Sequence, residues 1–343
     1  MKRLHLESVE LGLGRSLLGL ILAVLPSVLK VPLYKLAGAN VGKGVSIGFG
    51  SFILASSFSK ISIGNHSQIR QFTVIICSDV SIGNYTEIAM FVWIWGAGRL
   101  DVGDKCYIGP RCIINLRKND FKMGEYAGLG PGSIVYTHGQ WLPYTQGWPR
   151  RYGDVVLEDY AWVPARVFLS PGVKVGTKSI VGSGAVVTKD IPPHSFAAGV
   201  PAKVIQQIEK IKNHVDQDEL FKRIVEIAED LPDFFGFNAT SKHHQEGLII
   251  IQFERNKFLR KHSWYLGVSN SECIHEVAKY GVDTKKLILF STGPIPEGFK
   301  EGLFVWFDLK NLKCSDISDS FAFEIWNFLR RTWCITCDVL EHS

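Results

Sequence analysis

The feature that most constrains this chain is a period of six. Counting in steps of six from Leu157 gives Leu157, Val163, Leu169, Val175, Val181 and Val187, all aliphatic and without a change of phase. Upstream the same step returns in triplets: Val41, Ile47, Ile53; Ile63, Ile69, Ile75; Ile82, Ile88, Ile94; Val102, Ile108, Ile114; and Met123, Leu129, Val135. Residues two places earlier are small or aliphatic, as in Val155, Ala161, Val167, Val173, Ser179 and Ala185, and in Cys106 and Cys112. No helix repeats at six, and a half-buried sandwich strand alternates at two. A six-residue unit holds a short flat strand and a corner, and glycine often follows the aliphatic position, as at Gly42, Gly64, Gly83 and Gly130, where its backbone freedom suits a tight turn. Three units close a triangular coil. Coils stacked about 4.8 Å apart bury each aliphatic residue against its equivalents above and below, which no coil can do alone. The expected fold is mainly β, a parallel β-helix of about seven coils spanning 40–205.

The breaks in the period are as informative. Between triplets the step is ten, seven, eight, nine and then twenty-two residues. Every extra residue follows the third unit of a coil, so all insertions leave from one edge of the prism. Loops that grow on one side of a repeat protein commonly form its binding face. The longest, "VYTHGQWLPYTQGWPRRYGDVVL" (135–157), puts His138 three residues beyond the last regular position. An imidazole, mostly neutral at pH 7, suits the removal of a proton from an attacking hydroxyl or amine. By position alone His138 reads more readily as an ordinary polar residue at a loop root. Trp141, Tyr144, Trp148 and Tyr152 offer flat faces to a sugar, or staple the loop to a neighbouring subunit. Arg150 and Arg151 suit an anionic acceptor, a cofactor phosphate, or solvent.

The segment "YAWVPARVFLSPGVKVGTKSIVGSGAVVTKDIPPHSFAAGVPAKVI" (160–205) resembles the hexapeptide-repeat acyltransferases, and within them the sugar O-acetyltransferase branch; "GSGAVVTKDIPPHSFAAGVPAKVI" (182–205) carries the most specific part of the likeness. The resemblance implies a left-handed coil, a homotrimer, and active sites in clefts between prisms with acetyl-CoA along the coils. It places the catalytic base at His138. It puts thioester and pantetheine contacts at Ala165 and Ser183, and contacts nearer the nucleotide at Thr188, Lys189 and Lys203. Gln206 stands where a further basic residue is usual, a departure that weakens one phosphate contact. No metal is expected. The γ-type carbonic anhydrases share the prism but need three converging histidines for zinc, and this helix offers only His66 and His138, far apart in stacking order. The function that follows is acetyl transfer from acetyl-CoA to a hydroxyl of a sugar, polysaccharide or glycolipid in surface polysaccharide or glycolipid assembly. The alternatives are N-acetylation of an amino sugar and a non-catalytic scaffold.

Composition sets limits on partners. The chain has 343 residues, is 21% charged and carries a net charge of +5, too mild and too diffuse for a nucleic-acid partner but compatible with an anionic cofactor or membrane surface. Its seven cysteines are unevenly spaced and form no disulfide framework, which points to a reducing, cytoplasmic setting. The Cys334–Cys337 pair has no second pair to complete a zinc site. In the N-terminal segment, 1–39, Ser16 to Leu29 is an uncharged run of 14 residues, shorter than the roughly 20 needed to span a bilayer. Arg15, Lys30 and Lys35 edge it. This composition fits a helix lying on the inner leaflet of a membrane, or one that caps the prism or meets another subunit. Beyond the repeats, 206–343 reads as a small α/β appendage: a helix over 217–230 stopped by Pro232, strands over 247–254, 286–292 and 303–309, and a helix over 320–333.

Overall fold

The computed structural model describes residues 13–139, 142–211, 213–257, 260–270, 272–279, 286–296, 303–317, 319–333, 335 and 337–339. Two compact units divide the chain, Met1–Lys212 and Asn213–Ser343.

The first unit is a parallel β-helix of three sheets. The first sheet runs in seven strands from Asn40–Val41 to Lys174–Val175, and the third in seven from Phe52–Leu54 to Val186–Val187. The second has nine, starting at Ser46–Ile47 and finishing with Ser195–Ala198 and the antiparallel Lys203–Gln207. Seven strands in the first and third sheets make seven coils, as the period predicts. The six-residue period is the ladder itself: Ile47 stacks on Ile69, Ile69 on Ile88, Ile88 on Ile108, Ile108 on Leu129 and Leu129 on Val163. All are fully or almost fully buried. Cys106 and Cys112 face the same core, with Sγ atoms 2.9 Å from the Gly124 carbonyl and 3.1 Å from the Gly130 carbonyl. Burial pushes the Cys112 thiol up to about 12, so it packs as a small apolar residue.

The glycines of the repeat do a different job from the one their positions suggest. None of those following the aliphatic position has a positive φ. The constraint is close approach: a Cβ at Gly64 would lie 2.5 Å from the Asn84 nitrogen in the next coil, and one at Gly130 would strike the Pro164 carbonyl carbon. The positive φ values fall instead on bulky corner residues such as His66, Tyr85, Tyr126 and Tyr160. Their rings stack from coil to coil, His66 on Tyr85 at 5.1 Å and Tyr126 on Tyr160 at 4.6 Å, and this stacking offsets the cost of the left-handed backbone.

Two helices close the N-terminal end, α1 (Leu13–Val24) and α2 (Ser27–Leu36), broken at Pro26. A first coil leaves its outer backbone groups unpaired, and these helices supply partners. The Gly50 amide donates to the Ala23 carbonyl, and the Ile47 amide to Ser27 Oγ. The Tyr34 hydroxyl accepts from the Ile53 amide and donates to the Ile53 carbonyl. Lys30 Nζ, completely buried, donates to the Gly48 and Ser51 carbonyls, each at 2.7 Å. Desolvation pulls its pKa down to about 8. Of the uses the sequence allows for 1–39, capping of the prism is the one observed for the described part. The outer side of the cap is apolar and exposed, with Leu20, Val24, Val28 and Leu36 between 64% and 84% accessible. Among the described residues no helix is long and apolar enough to cross a membrane.

The second unit is a mixed seven-stranded sheet. Asn238–Gln245, Leu248–Lys257 and Arg260–Ser269 pair antiparallel, and Leu287–Ser291 and Val305–Asp308 continue in parallel. Helix α3 (Gln217–Phe234) buries Ile224, Ile227, Ala228 and Leu231, and α4 (Ser320–Thr332) starts at an Asp319 cap. Pro232 does not stop α3, as its position suggests; it sits in the last turn, where it forfeits one hydrogen bond shortly before the helix ends. Cys337 is buried, and Cys334 lies outside the described residues.

Candidate active site

The longest insertion leaves the corner after the third strand of the fifth coil, and its two arms pair. His138–Gly139 runs antiparallel to Arg151–Tyr152, with His138 opposite Tyr152. Thr137 fixes the root of this finger: its amide donates to the Asn115 carbonyl, its hydroxyl accepts from the Arg117 amide, and its carbonyl accepts from the Gly153 amide. The His138 ring is held between two tyrosines, 5.7 Å from Tyr136 at an interplanar angle of 8° and 6.5 Å from Tyr152 at 28°. Among the described residues, Nδ1 is buried without a hydrogen-bond partner. Burial, and secondarily the Arg117 charge, hold the imidazole below its ordinary pKa. The ring is therefore neutral at pH 7, the state a proton acceptor needs.

That shift fixes a pH prediction. If His138 is the base, kcat/KM is constant near neutrality and falls only as pH drops through a value below about 6.5. Arg117→Ala removes a charge that disfavours imidazolium, so the acid limb moves up toward the ordinary histidine value. A pH–rate profile of both proteins checks this; an unmoved or downward-shifted limb contradicts the assignment.

His138 lines a cleft of about 730 Å³ on the outer surface of the third sheet. Asn115 and Arg117 share its polar end with His138, and Trp93 and Trp95 line the rest together with Phe52, Val74 and Ile76. The sequence reading did not single out any of these but His138. The available signal is their register: they occupy the outward positions beside Ile75, Ile94 and Ile114 on the sheet from which the finger leaves.

The other candidate residues fall in separate places. Arg150 lies over the rings of Tyr144 and Tyr152, at 5.2 and 5.0 Å, and donates to the Tyr152 hydroxyl. Its charge thus braces the finger. Arg151 donates to the Thr188 carbonyl at 3.3 Å. Tyr144 and Trp148 are exposed and do not line the cleft. Trp141 lies outside the described residues. Ala165 and Ser183 occupy the same corner of the sixth and seventh coils, where the Gly184 amide donates to the Ala165 carbonyl. Thr188 and Lys189 follow the last strand of the third sheet, at the edge from which the finger leaves two coils earlier. Lys203 opens the strand that pairs with Ser195–Ala198. These five residues frame the C-terminal coils of the third sheet, while the cleft occupies its N-terminal coils and His138 stands between. Among the described residues no three His, Cys, Asp or Glu side chains converge to hold a metal ion.

No protein-family model matches the chain. It is 42% identical over 60 residues to galactoside O-acetyltransferase of Escherichia coli K12, which is 18% of this chain and 30% of that protein. Its homologues are acetyltransferases. Others are a putative acetyltransferase of Schizosaccharomyces pombe, 51% identical over 53 residues (16% of this chain, 26% of that protein), and one of Staphylococcus aureus MRSA252, 44% identical over 68 residues (20% and 33%). The matches thus span about a third of each relative's length. Among solved structures, the polySia specific acetyltransferase NeuO aligns at 21% identity with a TM-score of 0.33, covering 49% of this chain and 81% of that one. AntD, an N-acyltransferase from Bacillus cereus, aligns at 20% with a TM-score of 0.38, covering 60% and 96%. The parallel β-helix stands on the chain's own strand register.

Proposed function

We propose that the chain transfers an acetyl group from acetyl-CoA to a hydroxyl of a sugar or sugar-bearing lipid, with His138 as general base. The observation that carries this reading is the neutral His138 ring, clamped between Tyr136 and Tyr152 at the mouth of a cleft. The identity with galactoside O-acetyltransferase supports the choice of reaction and acceptor class. His138 takes the proton from the acceptor hydroxyl as the oxygen attacks the thioester carbonyl. Imidazolium then returns that proton to the sulfur as the carbon–sulfur bond breaks, so no covalent enzyme intermediate is required. Ala165, Ser183, Thr188, Lys189 and Lys203 hold acetyl-CoA beside the C-terminal coils. A homotrimer completes the sites, and the exposed ladder of Phe49, Phe72 and Phe91 along one corner, with ring centroids 6.1 and 5.2 Å apart, suits a subunit contact. The test is CoA release from acetyl-CoA against a panel of sugars, amino sugars and lipid-linked oligosaccharides, with calorimetry for acetyl-CoA binding. Absence of binding sinks the enzyme reading.

The setting we infer is the cytoplasmic face of a membrane, with the cap as the contact. The outer face of α1 and α2 is apolar, and from Leu11 to Ser78 there is no Asp or Glu, against Arg15, Lys30, Lys35, Lys43, Lys60 and Arg70. Lys30 is spent inside the cap, and Lys60 and Arg70 pair with Asp79 and Glu87, so Arg15, Lys35 and Lys43 carry the balance that favours anionic lipid. Co-sedimentation with vesicles containing phosphatidylglycerol, and its loss in Leu20→Glu/Val28→Glu, is the expected result; equal pelleting of both proteins contradicts it.

A further inference from the structure

A prism needs apolar residues on the inside of its three sheets only. The first sheet obeys this: its outward column reads Asn40, Ser62, Ser81, Asp101 and Lys122 over the first five coils. The third sheet does not. Its outward column reads Phe52, Val74, Trp93, Ile113, Ile134 and Phe168 in continuous register. Trp93 is 57% exposed, a large apolar side chain held in water. The first three members, Phe52, Val74 and Trp93, together with Ile76 and Trp95 of the second outward column, form the wall of the cleft that ends at His138, and the cleft's polar side chains, Asn115, Arg117 and His138, gather at that end. At the other end Phe52 abuts α1, within 3.1 Å of where a Cβ of Gly19 would be.

We propose that the cleft is an acceptor subsite for a hydrocarbon chain, so that the sugar hydroxyl offered to His138 belongs to a molecule with an apolar tail. This rests on the acyl-transfer reading and narrows its acceptor class. The occupant is argued from the polarity gradient. A single pyranose can stack a C–H face on one tryptophan, but an apolar wall running over three coils is longer than one sugar ring, whereas an amphipathic glycoside matches both ends at once. The surface is concave and shares its cavity with the base, which suits a substrate better than a flat subunit contact. A chain lying along the wall also runs toward the apolar cap, where a lipid-borne acceptor would enter.

The test compares n-octyl β-glucoside, below its micelle concentration, with methyl β-glucoside. Calorimetric binding comes first and needs no turnover. Each methylene that leaves water strengthens binding about threefold to fourfold, so octyl glucoside is expected to bind at least tenfold more tightly than methyl glucoside. Trp93→Ala and Ile76→Ser, both on the outer surface and therefore opening no core cavity, each collapse that ratio. Binding insensitive to both substitutions, or no preference for the longer chain, overturns the proposal. Loss of an oligomer in Trp93→Ala without octyl glucoside binding in the wild type also overturns it, and assigns the wall to a second copy of the chain. CoA release separates the two readings. Trp93-dependent binding without any acetyl transfer supports the subsite and removes the reaction, while transfer to short glycosides alone, with no gain from the tail, supports the reaction and removes the subsite.

Discussion

Replacing His138 with alanine is expected to lower kcat by about 10²- to 10⁴-fold, the usual contribution of a positioned general base. Acetyl-CoA should still bind, because the residues assigned to it lie on the sixth and seventh coils and on the Lys203 strand, away from the ring. The size of the effect follows from what else the cleft contains. Asn115 cannot accept a proton, Arg117 is always charged, and the remaining lining is tryptophan, phenylalanine, valine, isoleucine and glycine. Among the described residues no second group there can take over at neutral pH. His138→Asn should fare no better, since it keeps hydrogen-bonding capacity but not basicity. Tyr152→Ala should cost less, because Tyr136 still stacks on the ring. Steady-state kinetics with the best acceptor, alongside acetyl-CoA calorimetry, decide the matter. Turnover that survives His138→Ala moves the base elsewhere; loss of acetyl-CoA binding makes His138 a binding residue.

How much of this molecule was legible in its sequence depends on whether the information was local. Inward-facing residues recur at a fixed step, so the aliphatic column from Val41 to Val187 could be read directly, and with it the coil count and the edge from which His138 emerges. Outward residues carry no such mark. Trp95 and Asn115 are neighbours only because their strands pair, and Asn115 reaches Tyr136 in the same way. A cleft assembled from residues about twenty apart therefore leaves no mark in the sequence, although its base does. The repeat glycines are visible in sequence but their cause is not, since contact between successive coils is a property of the stack rather than of a turn. Arg150 reads as a free cation in sequence, and only the fold reveals the two tyrosines that occupy it. In the second unit, Asn238–Gln245 is exposed throughout and lacks the alternation that announces a strand; its ladder with Leu248–Lys257 makes it one.

The second large effect concerns Gly96, which lies in the floor of the cleft beside Trp95. Its φ is +136°, a region closed to residues with a Cβ, and a methyl group there would overlap the carbonyl of Leu116, its partner in the next coil. Gly96→Ala must therefore both strain the backbone and push two stacked coils apart. Strain alone costs about 1–3 kcal/mol, and forced separation of a hydrogen-bonded pair brings the expected loss to about 3 kcal/mol or more. Gly184 separates the two contributions. It too has a positive φ, +72°, but no atom of the described residues lies within 4 Å of where its Cβ would sit. Gly184→Ala should cost only the backbone term, about 1 kcal/mol in the left-handed region. Urea unfolding of the two variants measures the difference. In a stacked coil each layer is held by its neighbours, so the Gly96 defect should also loosen the Trp93–Trp95 wall and weaken octyl glucoside binding, which Gly184→Ala, at the far end of the prism, should leave unchanged. Equal losses of stability in the two variants would mean that close approach between coils is not what selects glycine at position 96, and that backbone conformation alone suffices.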